Sequence, residues 1–223
     1  MSAKGKEILE ELKSVISGKT LDAILPPLIF VIVNGVFRLE MAVASAIVLS
    51  SLLGLVRLFR KQTGLYALGG LAGVLMAAGL AYLTRNPANF FIGAIVSSSL
   101  VLAVAVVSLM VGKPMAAWVS HISRGWPLAW FWRKDIKPAY TEVTVFWSVF
   151  FLMRLVLQIV LFQRGDSTGL GWVNLLLGWP VTLLVLITSY IYGIWRLNQL
   201  KGPGVEEFAS GKEPPWKGQT RGF

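Results

Sequence analysis

The stretch VTVFWSVFFLMRLVLQIVLF, Val143–Phe162, carries a single charge in twenty residues. As a helix rising 1.5 Å per residue it reaches about 30 Å, the thickness of a bilayer's hydrocarbon core. A cation near the middle of such a helix is costly in lipid and turns toward other helices. Arg154 therefore implies neighbours, and the rest of the chain supplies them. Five further apolar stretches, Leu21–Val36, Met41–Val56, Leu65–Leu83, Phe90–Val111 and Trp172–Trp195, read as spans. The fold class expected is an all-α membrane protein with six transmembrane helices.

The basic residues give this bundle a direction. Numbering the connections alternately puts residues 1–20, 57–64, 112–142 and the C-terminal tail on one side, with 17 of the 21 Lys and Arg residues. The opposite side holds only Arg38, Arg85 and Arg164. Short loops rich in Lys and Arg stay cytoplasmic, so both termini are expected inside. The formal net charge of +10 would suggest nucleic acid in a soluble protein, but here it lies in the loops that set topology and face anionic lipid. Nucleic acid is therefore not an expected partner.

Composition narrows the rest. Six spans occupy most of 223 residues that are 55% hydrophobic, with a mean hydropathy of +0.67, leaving no room for a separate soluble domain. Three segments are expected: an N-terminal amphipathic cytoplasmic helix over 1–19, a six-helix bundle over 20–196 with an interfacial loop at 112–142, and a cytoplasmic tail over 197–223. There are no cysteines, which excludes disulfides, thiolate catalysis and Cys-based metal sites. The start does not read as a cleaved signal peptide, because it carries Glu7, Glu10 and Glu11 and lacks a small-residue cleavage site. Ile8, Leu9, Leu12, Val15 and Ile16 instead share one helical stripe, suited either to the membrane surface or to docking on the loops.

Several local features carry their own expectations. Pro26-Pro27 would be tolerated in the first turn of span one. Gly69, Gly70 and Gly73 in span three permit close helix packing, either within the chain or in a homodimer seam; intramolecular packing is the favoured use. Trp118, Trp126, Trp130 and Trp132, mixed with His121, Arg124 and Arg133, predict an interfacial or re-entrant helix broken near Gly125-Trp126-Pro127. Arg164-Gly165-Asp166 reads as an outer turn. The Gly- and Pro-rich stretch from Lys201 predicts a tail that is disordered over 212–223.

Arg154, with Gln158 at i+4, is the sharpest candidate for chemistry. Asn34 and Glu40 near the outer end of the first hairpin, and Asn174 at the outer start of span six, could complete a polar pocket. A guanidinium there would suit a carboxylate or phosphate. The competing reading is an internal staple, with Arg154 held by carbonyls or Glu40. His121 has no second ligand nearby, no carboxylate falls within a predicted span beyond Asp22 at the start of the first, and no nucleophile elbow or phosphate loop occurs in a plausible context. No catalytic residue, metal site or cofactor is expected, and an enzyme is not the reading.

Taken in order, Pro27-Leu28-Ile29-Phe30, Thr84, Asn89-Phe90, Gly112-Lys113-Pro114, Trp147, Phe150-Phe151, Trp172-Val173-Asn174, Tyr190, Tyr192 and Arg196 resemble the bacterial septation protein A family of small inner-membrane proteins. They resemble still more closely an uncharacterised family of actinobacterial-type integral membrane proteins, in which Arg154 with Gln158 and a stretch like Arg85–Phe90 are expected. The resemblance covers about residues 25–196. It implies a bacterial cytoplasmic membrane protein with a cell-envelope role, binding membrane partners or lipid. The alternative is a small transporter or lipid-handling protein whose outer pocket takes an anionic group. Membrane lipids, a membrane-protein partner and a second copy of the chain are the partners expected.

Overall fold

The computed structural model describes residues 18–59, 64–219 and 222–223, with side chains from 24 and from 68 in the first and third helices. The predicted N-terminal amphipathic helix lies outside these residues. The described chain is helical, with no strand among the described residues: α1 Gly18–Val36, α2 Leu39–Phe59, α3 Gly64–Leu83, a 3-10 turn Pro87–Phe91, α4 Ile92–Met110, α5 Met115–Arg124, α6 Leu128–Phe131, α7 Lys137–Gln163, α8 Ser167–Leu176, α9 Trp179–Leu200 and α10 Val205–Ala209. Among the described residues, four helical stretches are long and apolar enough to cross a membrane: Leu39–Phe59, Pro87–Met110, Lys137–Gln163 and Ser167–Leu200. Over an apolar 18-residue window of each, no more than 22% is buried inside the protein, so their outward faces are apolar, as lipid requires. Ile24–Val36 and Leu68–Leu83 form two shorter apolar helices.

Helix boundaries differ from the sequence reading in instructive ways. Pro26 and Pro27 lie two turns inside α1, not in its first turn, so each removes an internal N–H donor. The helix before α2 ends at Val36, leaving a two-residue link, and Leu39 and Glu40 belong to the first turn of α2. Glu40 there and Arg57 in the last turn complement the helix dipole. The sixth predicted span starts earlier, at Ser167, and is interrupted at Leu177-Gly178. Pro180 has no N–H to offer the carbonyl one turn back, which accounts for the break. Helices α3, α4 and α7 end alike. Asn86, Lys113 and Asp166 each donate a backbone N–H to the carbonyl five residues back, at 2.9–3.1 Å, while Arg85, Gly112 and Gly165 take positive φ.

The chain divides into two compact units. The first comprises residues up to Ile95 together with Leu157–Trp179. Its core joins Phe30, Phe90 and Phe91 to the small residues Ala42, Ala46, Ala78, Ala81 and Ala88 and to Leu170. Phe30 and Phe90 stack at 4.0 Å between centroids, and Phe91 meets Phe90 edge-on at 5.3 Å. The turn that delivers these rings is built locally. Asn86 caps the 3-10 turn by accepting from Ala88 N at 3.0 Å, and Asn89 Nδ2 donates to Thr84 Oγ1 at 2.7 Å. The Arg85–Phe90 stretch thus has a packing role.

The second unit comprises Val96–Val156 and Pro180–Phe223. Its core is aromatic: Trp126, Trp130, Phe131, Tyr140, Trp147 and Phe223 pack with Ile136, Val143 and Leu197. Gly125, at φ +70°, ends α5, and Pro127 precedes α6, so the predicted break at Gly125-Trp126-Pro127 is present. The tail departs from its predicted disorder: α10 and residues up to Gln219 carry defined contacts, and Phe223 stacks on Tyr140 at 4.3 Å.

Candidate functional site

Polar side chains inside apolar helices are the natural places to look, because each must find a partner or line a cavity. In the first unit they find one another. Asn174 Nδ2 donates to Leu170 O at 2.8 Å, one turn back on α8. That bond fixes the amide: a carbonyl can only accept, so Asn174 must turn its nitrogen to Leu170 and its oxygen away. Gln158 then has to donate, and its Nε2 meets Asn174 Oδ1 at 2.7 Å. Gln158 is completely buried, and its Oε1 receives no hydrogen bond. Asn34 Nδ2 donates to Ser167 Oγ at 3.1 Å, tying α1 to the start of α8.

Within the first unit, one contact joins two of the proposed pocket residues. Gln158 meets Asn174, while Asn34 joins a separate bond, and Glu40 is exposed on α2. Arg154 belongs to the second unit, where it is half-buried and not free of partners. The glycines of α3 split as well. A side chain at Gly69 or Gly73 would meet nothing within 4 Å, whereas one at Gly70 would come within 3.0 Å of Arg57 Nη1. Among the described residues, the positions of Gly69 and Gly73 thus face open space. Gly70 makes room for Arg57, which is buried at the end of α2 rather than lying in a loop.

The second unit carries more charge chemistry than the sequence suggested. Helix α7 starts six residues before the predicted span, bringing Glu142 into the helix. Arg196 Nε lies 2.9 Å from Glu142 Oε2 and its Nη2 2.9 Å from Oε1, a two-pronged pair, while Tyr192 donates to Oε2 at 2.6 Å. Arg133 grips Asp135 likewise, at 2.9 and 2.7 Å. The legible signal for the first pair was an acid and a base flanking the same ends of spans five and six. Trp130 Nε1 donates to Pro203 O at 2.9 Å and Trp147 Nε1 to Ser189 Oγ at 2.8 Å. His121 Nδ1 lies 2.6 Å from Trp126 O, so that nitrogen carries the proton and fastens the α5–α6 corner. Arg124 lies over the rings of Trp126 and Tyr190, at 5.1 and 5.8 Å.

Glu207 organises the tail. Its carboxylate accepts from Gly204 N at 3.0 Å, Lys217 N at 2.9 Å and Gly218 N at 3.2 Å, and pairs with Lys212 Nζ at 3.2 Å. The Lys217 and Gly204 amides hold its pKa down to about 2.

Two surface hollows accompany these contacts in the second unit. An apolar groove of about 470 Å³ runs along α4 toward α5, ending at Lys113. A hollow of about 370 Å³ lies around Lys134, Lys137, Pro138, Thr141 and Glu142.

No curated protein and no solved structure matches the chain. A family model matches residues 17–197, most of the chain and all the helices from α1 to nearly the end of α9. The chain accordingly belongs to the family described as Protein of unknown function (DUF3159).

Proposed function

We propose that the protein is a non-enzymatic, six-span protein of the bacterial cytoplasmic membrane, both termini inside, acting in the cell envelope by binding membrane lipid or membrane-protein partners. The observation that carries this reading is the orientation of Gln158. One of its two N–H groups is given to Asn174, and its other end, Oε1, is a buried acceptor that receives no hydrogen bond. An acceptor repels a carboxylate or phosphate, so this residue is ill-suited to the anionic pocket that a transporter reading needs. The one-sided distribution of Lys and Arg supports the orientation, and the outward apolar faces of the helices support function within the bilayer. A homodimer through Gly69 and Gly73 fits the same reading, since among the described residues nothing lies within 4 Å of where their side chains would begin.

Native mass spectrometry of the protein released from lipid nanodiscs tests this, with wild type beside Arg154→Leu. The expected spectra retain lipid or a protein partner in both forms. A small soluble anion held by wild type and lost from a folded Arg154→Leu variant would overturn the reading in favour of transport.

A further inference from the structure

The turn after α4 brings an apolar groove and unneutralised cations to one place. Val104 and Val107 on α4, and Val111 just past its end, line the groove of about 470 Å³ together with Met115 and Trp118 on α5, and Lys113 stands at its end. The only hydroxyl on its wall, Ser108, is already used, donating to Ala105 O at 2.7 Å and accepting from Met115 N at 2.9 Å. The groove wall is therefore hydrocarbon over its length, with a cation at one tip.

A second hollow adds two more cations, Lys134 and Lys137, beside Pro138, Thr141 and Glu142. Lys137 brings its ammonium to the Gly112 turn beside Lys113: a side chain added at Gly112 would come within 3.2 Å of Lys137 Nζ. Gly112, at φ +70°, keeps this approach open. The neighbouring acids cannot neutralise these lysines. Asp135 is taken by Arg133 at 2.7 Å, and Glu142 by Arg196 at 2.9 Å and by Tyr192. Lys113, Lys134 and Lys137 take part in no ion pair among the described residues.

A hydrocarbon trough ending at three amines matches one kind of molecule: an amphiphile with an acyl chain and an anionic head. We infer that an anionic phospholipid binds here, its chain along Val104, Val107 and Val111 and its phosphate at Lys113, Lys134 and Lys137. Trp118, partly exposed at 38%, lies at the junction of chain and headgroup, the depth that indole prefers. The site lies on the basic side of the chain, which under the proposed orientation faces the anionic inner leaflet. This inference rests on the lipid-binding reading above and names its ligand.

The test uses the full chain in nanodiscs of phosphatidylcholine containing a minor share of phosphatidylglycerol, read by native mass spectrometry. Wild type is expected to retain phosphatidylglycerol in excess of its share. Replacing Lys113, Lys134 and Lys137 by Gln should lower that preference about fivefold per lysine, the equivalent of about 1 kcal/mol each. Val107→Trp, which fills the trough from the lipid side, should lower retention of both lipids. Added inorganic phosphate should displace nothing; displacement without dependence on Val107 would mean a phosphate site and overturn the lipid assignment. Retention of both lipids in proportion to their abundance, unchanged by the Gln variants, would overturn the site while leaving general lipid or partner binding intact. Retention of neither lipid nor protein would overturn both.

Discussion

Glu207 shows how one carboxylate can order a polar tail. Three backbone amides and one ammonium converge on it, and its pKa of about 2 lies below the roughly 4.3 of an unfolded Glu. A depressed folded value means that its contribution is complete above pH ~4.3 and disappears as the pH falls toward 2. The amide resonances of Lys217 and Gly218 should therefore shift with a midpoint near 2, and Glu207→Ala should remove that transition and free the tail at neutral pH. A midpoint near 4 in wild type would refute the contact. Gln158 makes a different residue-scale prediction. Gln158→Leu should lower stability in detergent by about 1 kcal/mol, the scale of hydrogen bonds between helices in membranes. Gln158→Glu should cost more, because a carboxylate would meet Asn174 Oδ1 acceptor to acceptor in a fully buried site.

Between helices, the fit depends on which glycines have something against them. A Cβ at Gly171 would run into the side chain of Val31, so α8 can approach α1 only because Gly171 has none. Gly171→Ala should destabilise the protein by about 1–3 kcal/mol in a denaturation series. Gly73→Ala meets open space and should be neutral, or stabilising by up to about 1 kcal/mol. If α3 forms a dimer seam, Gly73→Leu should abolish intermolecular cross-linking while leaving monomer stability unchanged; unaltered cross-linking would remove the seam. Sequence marked Gly69, Gly70 and Gly73 as small and helical and left Gly171 just outside the sixth span, but could not say which one faces a neighbour. That depends on the rotation of each helix, which is set by packing against residues distant in the chain.

For the molecule as a whole, the absence of cysteine makes orientation directly measurable. With both ends inside, Lys212→Cys should be protected from a membrane-impermeant maleimide in intact cells and react in inverted vesicles. Arg164→Cys should behave the opposite way. Reversed labelling would invert the topology, and with it the leaflet assigned to the lysine-lined groove.

The sequence by itself determined what depends on local chemistry. Apolar runs of bilayer length specify helices because no other structure satisfies the backbone in lipid. Gly125 and Pro127 mark the broken α5–α6 corner because φ and the missing N–H are properties of single residues. Tertiary structure decided the pairings. The partners Gln158 and Asn174 are 16 residues apart, Glu142 and Arg196 are 54 apart, and Trp130 and the Pro203 carbonyl are 73 apart. Composition made the tail look disordered because its order comes from partners elsewhere, with Glu207 gathering its amides and Tyr140 receiving Phe223. The same holds for the lysines: their charge was visible in the sequence, but that Asp135 and Glu142 pair elsewhere follows from where Arg133 and Arg196 meet these carboxylates, a matter of distance in space rather than along the chain.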